Sequence, residues 1–369
     1  MTGRATAPLT VLHIDTERGW RGGERQALWL AAGLAARGHR SLVAARPGEP
    51  LAARAAERGL EVVPCEPFSE LDPLAAARLR RVIRRARVDI VHAHTGHAVA
   101  LGALARRGTG ARLVLTRRVD FPLKDNLGTR WKYRQADAYI GVCGTAAESL
   151  VRAGLDPARV HVVHSGVDFS RRVVPASRET LAALGVRAGS PLVVQVAALV
   201  EHKDPLTFVR GIEAARRRVP HIQALMVGEG AMRPRVEEEI AARGLRDVVH
   251  LAGYRTDADS LLAAADVATL SSTAEGIGGV LIDALSFGRP IVATRASGFV
   301  EVVSHGETGL LVPIGDAEAF GDALATILHD PALAARLSTA ALSAAPRFSI
   351  ENTVEGTIGV YERVLSTEY

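Results

Sequence analysis

The sequence predicts an α/β protein built as two tandem domains, each a parallel sheet with helices on both faces. Three observations carry this prediction. At 369 residues the chain is long for one domain and suits two. Short β-branched or apolar runs alternate throughout with longer Ala-, Leu- and Arg-rich stretches whose apolar residues recur every three or four positions. The alternation pauses once, around His164–Asp168 and the charged stretch Phe169–Arg178, and resumes after Gly189-Ser190-Pro191.

Taken in order, the first half predicts strands at Leu9–Asp15, Arg40–Ala45, Leu60–Pro64, Val88–His92, Arg112–Thr116, Ala138–Val142 and Arg159–Val163. Between them, Glu24–Arg37 and Leu74–Arg87 carry helical spacing. The second half predicts strands at Leu192–Ala197, Gln223–Val227, Val248–Ala252, Val267–Leu270, Pro290–Ala293 and Leu310–Val312. Strands separated by helices of this length pair in parallel. The domains are expected at residues 1–170 and 171–349, facing each other across a cleft that binds ligand at the carboxyl ends of the strands.

Composition narrows the function. With 48% hydrophobic and 23% charged residues the chain is too apolar for disorder. Aromatic residues reach only 4%, too few for a stacking platform on single-stranded nucleic acid. Cys65 and Cys143 are the only cysteines, so a four-cysteine zinc site and a disulfide framework are both excluded, and a reduced, cytoplasmic setting is expected. MTGRATAPLT offers no signal peptide, and no segment runs 18 apolar residues; attachment to the inner face of a membrane stays open. The net charge of +5 hides an asymmetry. Residues 1–168 carry 26 Lys/Arg against 16 Asp/Glu, and residues 169–369 carry 19 against 24, so a basic half is joined to an acidic one.

The most informative motif is Glu275-Gly276-Ile277-Gly278-Gly279-Val280-Leu281-Ile282-Asp283, between a predicted strand and a helix expected over Val280–Phe287. A helix start exposes unpaired N–H groups and the positive end of its dipole, which suits a diphosphate. Gly278 and Gly279 let phosphates approach the backbone around Val280. Glu275 and Asp283 could accept from sugar hydroxyls on either side of that diphosphate.

This segment resembles the E-x7-E signature of glycosyltransferase family 4, which has the GT-B fold of two Rossmann-like domains facing across a cleft. Ser286–Ala293, Gly306–Val312, Ser165-Gly166-Val167-Asp168 and Gly22-Gly23-Glu24-Arg25 are similar to other family segments and stand in the same order. The resemblance implies retaining transfer of a sugar from a nucleotide-diphosphate sugar, with UDP the expected carrier and no metal required. It gives Glu275 the donor sugar and Asp283 the nucleotide ribose. It places Gly22 and Gly23 near the donor phosphate or the acceptor, and Tyr254 near the base. It also implies a last helix, within residues 350–369, that packs back on the first domain. Three departures stand out: Asp283 is shorter than the family's Glu; Lys203 is present but Ala198 replaces the preceding Arg; and Arg118 follows a strand after which many relatives carry a His. Arg118 is expected to point into the cleft and supply the missing cation, beside Lys203.

The remaining motifs read as follows. His92, His94 and His97 crowd one strand end. Strand alternation separates their faces and no carboxylate cluster stands beside them, so no metal is expected; His94 is expected to bond a sugar hydroxyl while the others pack. Asp257-Ala258-Asp259 is expected to cap a helix. The spacing after the first strand does not fit a dinucleotide fingerprint. Arg78–Arg87 holds six arginines in ten residues, readable as a solvated face or as a contact for anionic lipid or a phosphorylated glycolipid. Expected partners are therefore a nucleotide-sugar donor, a glycan, glycolipid or small anionic acceptor, and an anionic membrane, without nucleic acid. A role in cell-envelope glycan or lipopolysaccharide synthesis is expected, with a nucleotide-sugar epimerase or a non-catalytic sugar-nucleotide binder as alternatives.

Overall fold

The computed structural model describes residues 7–119, 123 and 126–366. The chain divides into two compact units. The first runs to Asp168 and regains the chain at Ser349; the second is Phe169–Phe348.

The first unit is built from β1 (Thr10–Ile14), α1 (Gly22–Ala36), β2 (Arg40–Ala45), α2 (Pro50–Glu57) and β3 (Glu61–Pro64). It continues through α3 (Pro73–Ala86), β4 (Ile90–Ala93), α4 (Gly96–Ala105), β5 (Arg112–Arg117) and α5 (Leu127–Tyr133). β6 (Ala138–Gly141), α6 (Gly144–Arg152) and β7 (Val160–Val162) complete a seven-stranded parallel sheet in the order β3-β2-β1-β4-β5-β6-β7. Strands buried on both faces read as unbroken apolar runs, which is why they are visible in the sequence. Alternate residues serve opposite faces: Leu42 and Ala44 join the core with Leu12, Ile14, Leu79 and Leu113, whereas Val43 and Ala45 pack with Leu28 and Leu51.

The second unit contains α7 (Arg178–Ala183), β8 (Leu192–Val196), α8 (Pro205–Arg216), β9 (Gln223–Val227), α9 (Arg233–Ala242) and β10 (Val249–Gly253). Next come α10 (Ala258–Ala263), β11 (Val267–Leu270), α11 (Gly279–Ser286), β12 (Ile291–Thr294), α12 (Phe299–Val302) and β13 (Gly309–Val312). α13 (Ala317–His329) and α14 (Pro331–Ala344) close it. Its parallel sheet has the order β10-β9-β8-β11-β12-β13. In both sheets the strand order reverses beside the first strand of the unit, between β1 and β4 and between β8 and β11. Ligands of open parallel sheets bind at such switch points, outside the carboxyl ends.

All thirteen strands among the described residues coincide with predicted ones, their ends differing by at most two residues. α15 (Ile350–Ser366) belongs to the first unit. It enters through Ile350 N–H donating to Val167 C=O at 3.0 Å, and Thr353 Oγ1 donates to His164 C=O at 2.8 Å. It packs on α1, where Gly33 leaves room for Val354. Among the described residues no helix is long and apolar enough to cross a membrane.

Candidate active site

The second unit gathers Lys203, Glu275, Gly278, Gly279 and Val280 at its switch point. Lys203 ends a short 3-10 turn after β8, Glu201–Lys203. Asp204 follows in the left-handed conformation (φ 43°), and its side chain caps α8 by accepting from Thr207 N–H at 3.2 Å. The loop after β11 is stitched to this turn. Ser271 Oγ lies 2.8 Å from Asp204 C=O and 3.1 Å from Lys203 C=O, and Thr273 N–H donates to His202 C=O at 2.9 Å. The two loops therefore hold the Lys203 ammonium against the Glu275 carboxylate as an ion pair. The pair joins the ends of β8 and β11.

Gly278 is the N-cap of α11, left-handed at φ 69°, and no side chain caps the helix. The amides of Gly279 and Val280 therefore open the helix without side-chain competition. A Cβ at Gly278 would lie 2.4 Å from the Phe299 ring, and one at Gly298 would lie 1.4 Å from the Gly276 carbonyl oxygen. Glycine at both positions lets the two loops touch. Ala198, where an Arg is expected, is exposed and carries no charge.

Asp283 departs from expectation. Its side chain is 1% exposed, and Oδ1 accepts from Arg171 Nη2 at 2.8 Å. Arg171 Nη1 donates to Asp259 Oδ2 at 2.5 Å. One methylene shorter than Glu, the Asp283 carboxylate is engaged by Arg171 within the second unit. Asp257 also differs: it stands at the N-cap of α10, but its two carboxylate oxygens take Arg255 rather than the helix amides. Tyr254 follows the edge strand β10 with its ring exposed, apart from the Lys203–Glu275 group.

The first unit gathers Gly22, Gly23, His94 and Arg118. Gly22 and Gly23 open α1, where Glu24 accepts from Arg21 N–H at 2.7 Å. A Cβ on Gly23 would rest 3.8 Å from Arg118 Cδ. Arg118 donates from Nη2 to His94 Nδ1 at 3.2 Å and from Nη1 to Ser165 Oγ at 3.3 Å. Burial lowers its guanidinium to about 10, against the opposing pull of Asp15 and Glu24. Both Nη groups are thus engaged by neutral side chains of the first unit, while Nε has no partner among the described residues.

His94 lies deeper than an exposed sugar-binding side chain would. It is 2% exposed, with Nε2 3.0 Å from His13 Nδ1 and Nδ1 facing Arg118. Both ring nitrogens are engaged, so a sugar hydroxyl has no free atom to meet. Arginine only donates, which fixes the tautomers: His94 Nδ1 accepts, its Nε2–H donates to His13 Nδ1, and His13 Nε2 carries a proton that has no partner. Burial holds all three rings neutral, His13 down at about 3 and His92 and His94 well below their ordinary range. His92 bonds Tyr361 Oη and Thr116 Oγ1, each at 2.6 Å. The trio in space is His13, His92 and His94, not the run His92–His97, and with both ring nitrogens of His92 and His94 taken it does not offer a metal three free lone pairs. His97 instead sits exposed at the start of α4, its Nδ1 2.6 Å from Glu70.

Residues 20–171 match the family described as Glycosyltransferase Family 4, and residues 177–343 match Glycosyl transferases group 1. The lipopolysaccharide core biosynthesis glycosyltransferase LpsE of Rhizobium meliloti is 30% identical over 324 residues, 86% of this chain and 88% of its own. The chain belongs to the group 1, family 4 glycosyltransferases. The D-inositol 3-phosphate glycosyltransferase of Saccharomonospora viridis is 30% identical, covering 75% of this chain and 70% of its own. The fold is GT-B: Anabaena Alr3699/HepE, solved in complex with UDP-glucose, superposes with a TM-score of 0.84 at 22% identity over 97% of this chain and 100% of its own.

Within this glycosyltransferase, sequence reading missed two features. Gly228 and Gly230 follow β9, and a Cβ on either would strike the carbonyl of Ala197 or Leu199, so they seat the loop that leads to Lys203. The G-x-G spacing after a strand was the available signal. Asp15, at the end of β1, is buried with Oδ2 lacking a partner, and burial together with Glu24 raises its carboxyl to about 7. Nothing in the local sequence marks it.

Proposed function

We propose that this glycosyltransferase moves a hexose from a nucleotide-diphosphate sugar to an acceptor hydroxyl with retention of configuration, in the assembly of a cell-envelope glycan, glycolipid or lipopolysaccharide at the cytoplasmic face. The observation that carries this reading is the Lys203–Glu275 ion pair, joined across the switch point of the second unit beside the uncapped start of α11. Lys203 and the amides of Gly279 and Val280 take the diphosphate as it departs; such preorganised donors stabilise developing charge without rearrangement. Glu275, released by Lys203, accepts from hydroxyls of the donor sugar. Tyr254, exposed at the end of β10, is available to the base. The Arg171–Asp283 pair fixes α11 so that its first turn stays aimed at the phosphates.

In the reaction the bond from the anomeric carbon to the diphosphate oxygen breaks, and the acceptor oxygen forms the new bond on the same face. The acceptor proton passes to the departing phosphate, so no protein base is needed. The acceptor is held by the first unit, where Arg118 and His94 order the strand ends around Gly22 and Gly23. UDP as carrier is supported by HepE, solved with UDP and with UDP-glucose, and the envelope setting by the relationship to LpsE.

Release of nucleoside diphosphate from UDP-sugars, with and without acceptors, tests the reading. Glu275→Ala is expected to lower kcat by about a hundredfold or more. A Glu275→Ala enzyme with full turnover would overturn it, and acceptor-independent conversion of one UDP-sugar into another would favour the epimerase.

A further inference from the structure

We propose that Phe68, Leu71 and Leu74, together with Arg78, Arg81 and Arg85, form a docking surface for an anionic lipid bilayer. The apolar part is the starting point. Phe68, Leu71 and Leu74 are 76%, 56% and 66% exposed, side by side in the loop after β3 and the first turn of α3. A soluble chain has little reason to hold three large apolar groups in water at one place.

The loop is built to hold them there. Asp72, buried, accepts from Phe68 N–H at 3.1 Å and from Leu74 and Ala75 N–H at 2.9 Å, so one carboxylate fixes the loop and caps the helix. Glu70 accepts from Lys132 at 2.7 Å and pairs with His97 at 2.6 Å, tying the loop to α5 and α4. Glu70 and Asp72 turn to the protein, and the apolar side chains beside them turn outward.

The charged part continues the same face. On α3 the buried residues are Ala75, Ala76, Leu79 and Ile83. Leu74, Arg78, Arg81 and Arg85 recur at three- and four-residue steps on the opposite, exposed side. Arg80 and Arg84 lie apart, bonded to carbonyls at the end of α4. Among the described residues no carboxylate pairs with Arg78, Arg81 or Arg85. The acid nearest this end, Asp72, is consumed as the cap. Arg78 also lies close enough to Asp72 to help hold its carboxyl low, which leaves the far end of the stripe the more strongly cationic. An apolar tip followed by a cationic stripe matches the layering of a bilayer, with acyl chains beneath a sheet of negative head groups. A nucleic acid would use the arginines but leave the apolar tip in water. The loop lies at the carboxyl end of the sheet, so a bound membrane would stand beside the strand ends of the first unit.

Co-sedimentation of the full chain with vesicles of phosphatidylcholine alone, or mixed with phosphatidylglycerol, tests this without donor or acceptor, so its outcome is independent of the proposed reaction. Binding is expected only with phosphatidylglycerol, and should weaken with salt. Arg78→Ala, Arg81→Ala and Arg85→Ala combined should lower the partition coefficient about a hundredfold. Phe68→Ser, Leu71→Ser and Leu74→Ser combined should lower it at least about tenfold. All six side chains are exposed, and unchanged melting temperatures would confirm folded variants. No partition of the wild type into either vesicle overturns the proposal. So does undiminished binding by either triple variant, or a duplex DNA competitor that strips the protein from vesicles.

Discussion

Asp283 shows what one methylene decides. Its carboxylate is buried against Arg171, a residue that follows the unit boundary by three positions and also holds Asp259. Removing one partner of a buried pair strands the other charge, so Arg171→Ala should destabilise the second unit by roughly 3 kcal/mol, read from urea denaturation. Adding Asp283→Asn should restore part of that loss, because the stranded charge is gone; if the double variant is no more stable than the single, the pair is not what Arg171 supports. The Glu275 and Lys203 positions were legible in sequence because each sits in a short motif beside a strand end. The Arg171 contacts were not, since its partners lie 88 and 112 residues away. His13 was hidden for another reason: inside an apolar strand it reads as one more core residue, and only the parallel pairing of β1 with β4 sets it opposite His92. The bond between Arg118 and His94 was not legible either, because local sequence does not reveal that two side chains 24 residues apart will meet.

At the scale of elements, the strands were legible because a sheet covered on both faces demands continuous apolar runs, while their ends depend on which backbone groups find a partner and so drift. The loops between strand and helix carry the chemistry and depend on contact between segments. Gly298 is the sharpest case. It opens α12, and a Cβ there would lie 1.4 Å from the Gly276 carbonyl oxygen. The loop carrying Glu275 and the start of α12 cannot both keep their places if that atom is added. Gly298→Ala should therefore cost at least roughly 3 kcal/mol, above the usual range for an added methyl because backbone cannot swing aside as a side chain can. The displaced loop should also weaken UDP-sugar binding. Calorimetric titration of UDP-glucose into a variant that remains folded at low temperature checks this, and wild-type affinity would mean that the 276–298 contact does not position the site.

At the scale of the whole molecule the two units should respond differently to acid. The first unit buries His13, His92 and His94 as neutral rings, with folded values below the ordinary 6.5 through desolvation. Below that pH the unfolded chain binds protons that the folded unit refuses, so stability is lost as pH falls. Asp15 acts oppositely. Raised to about 7, its carboxyl holds a proton in the folded unit that the unfolded chain releases, so its contribution grows as pH falls from 7 toward the ordinary carboxylate range. Three rings outweigh one carboxyl, giving a net loss of roughly 2–3 kcal/mol per pH unit below about pH 6. The second unit has one comparable group, the half-buried His250. Trp20, Trp29 and Trp131 are the only tryptophans, and all lie in the first unit. Acidification should therefore change tryptophan fluorescence before far-UV circular dichroism is lost, with the second unit still folded. His13→Gln should shift the fluorescence transition to lower pH, since one of the three refused protons is removed. Coincident transitions by the two probes, or a His13→Gln transition at the wild-type pH, would show that the buried histidines do not set the acid limit of the first unit.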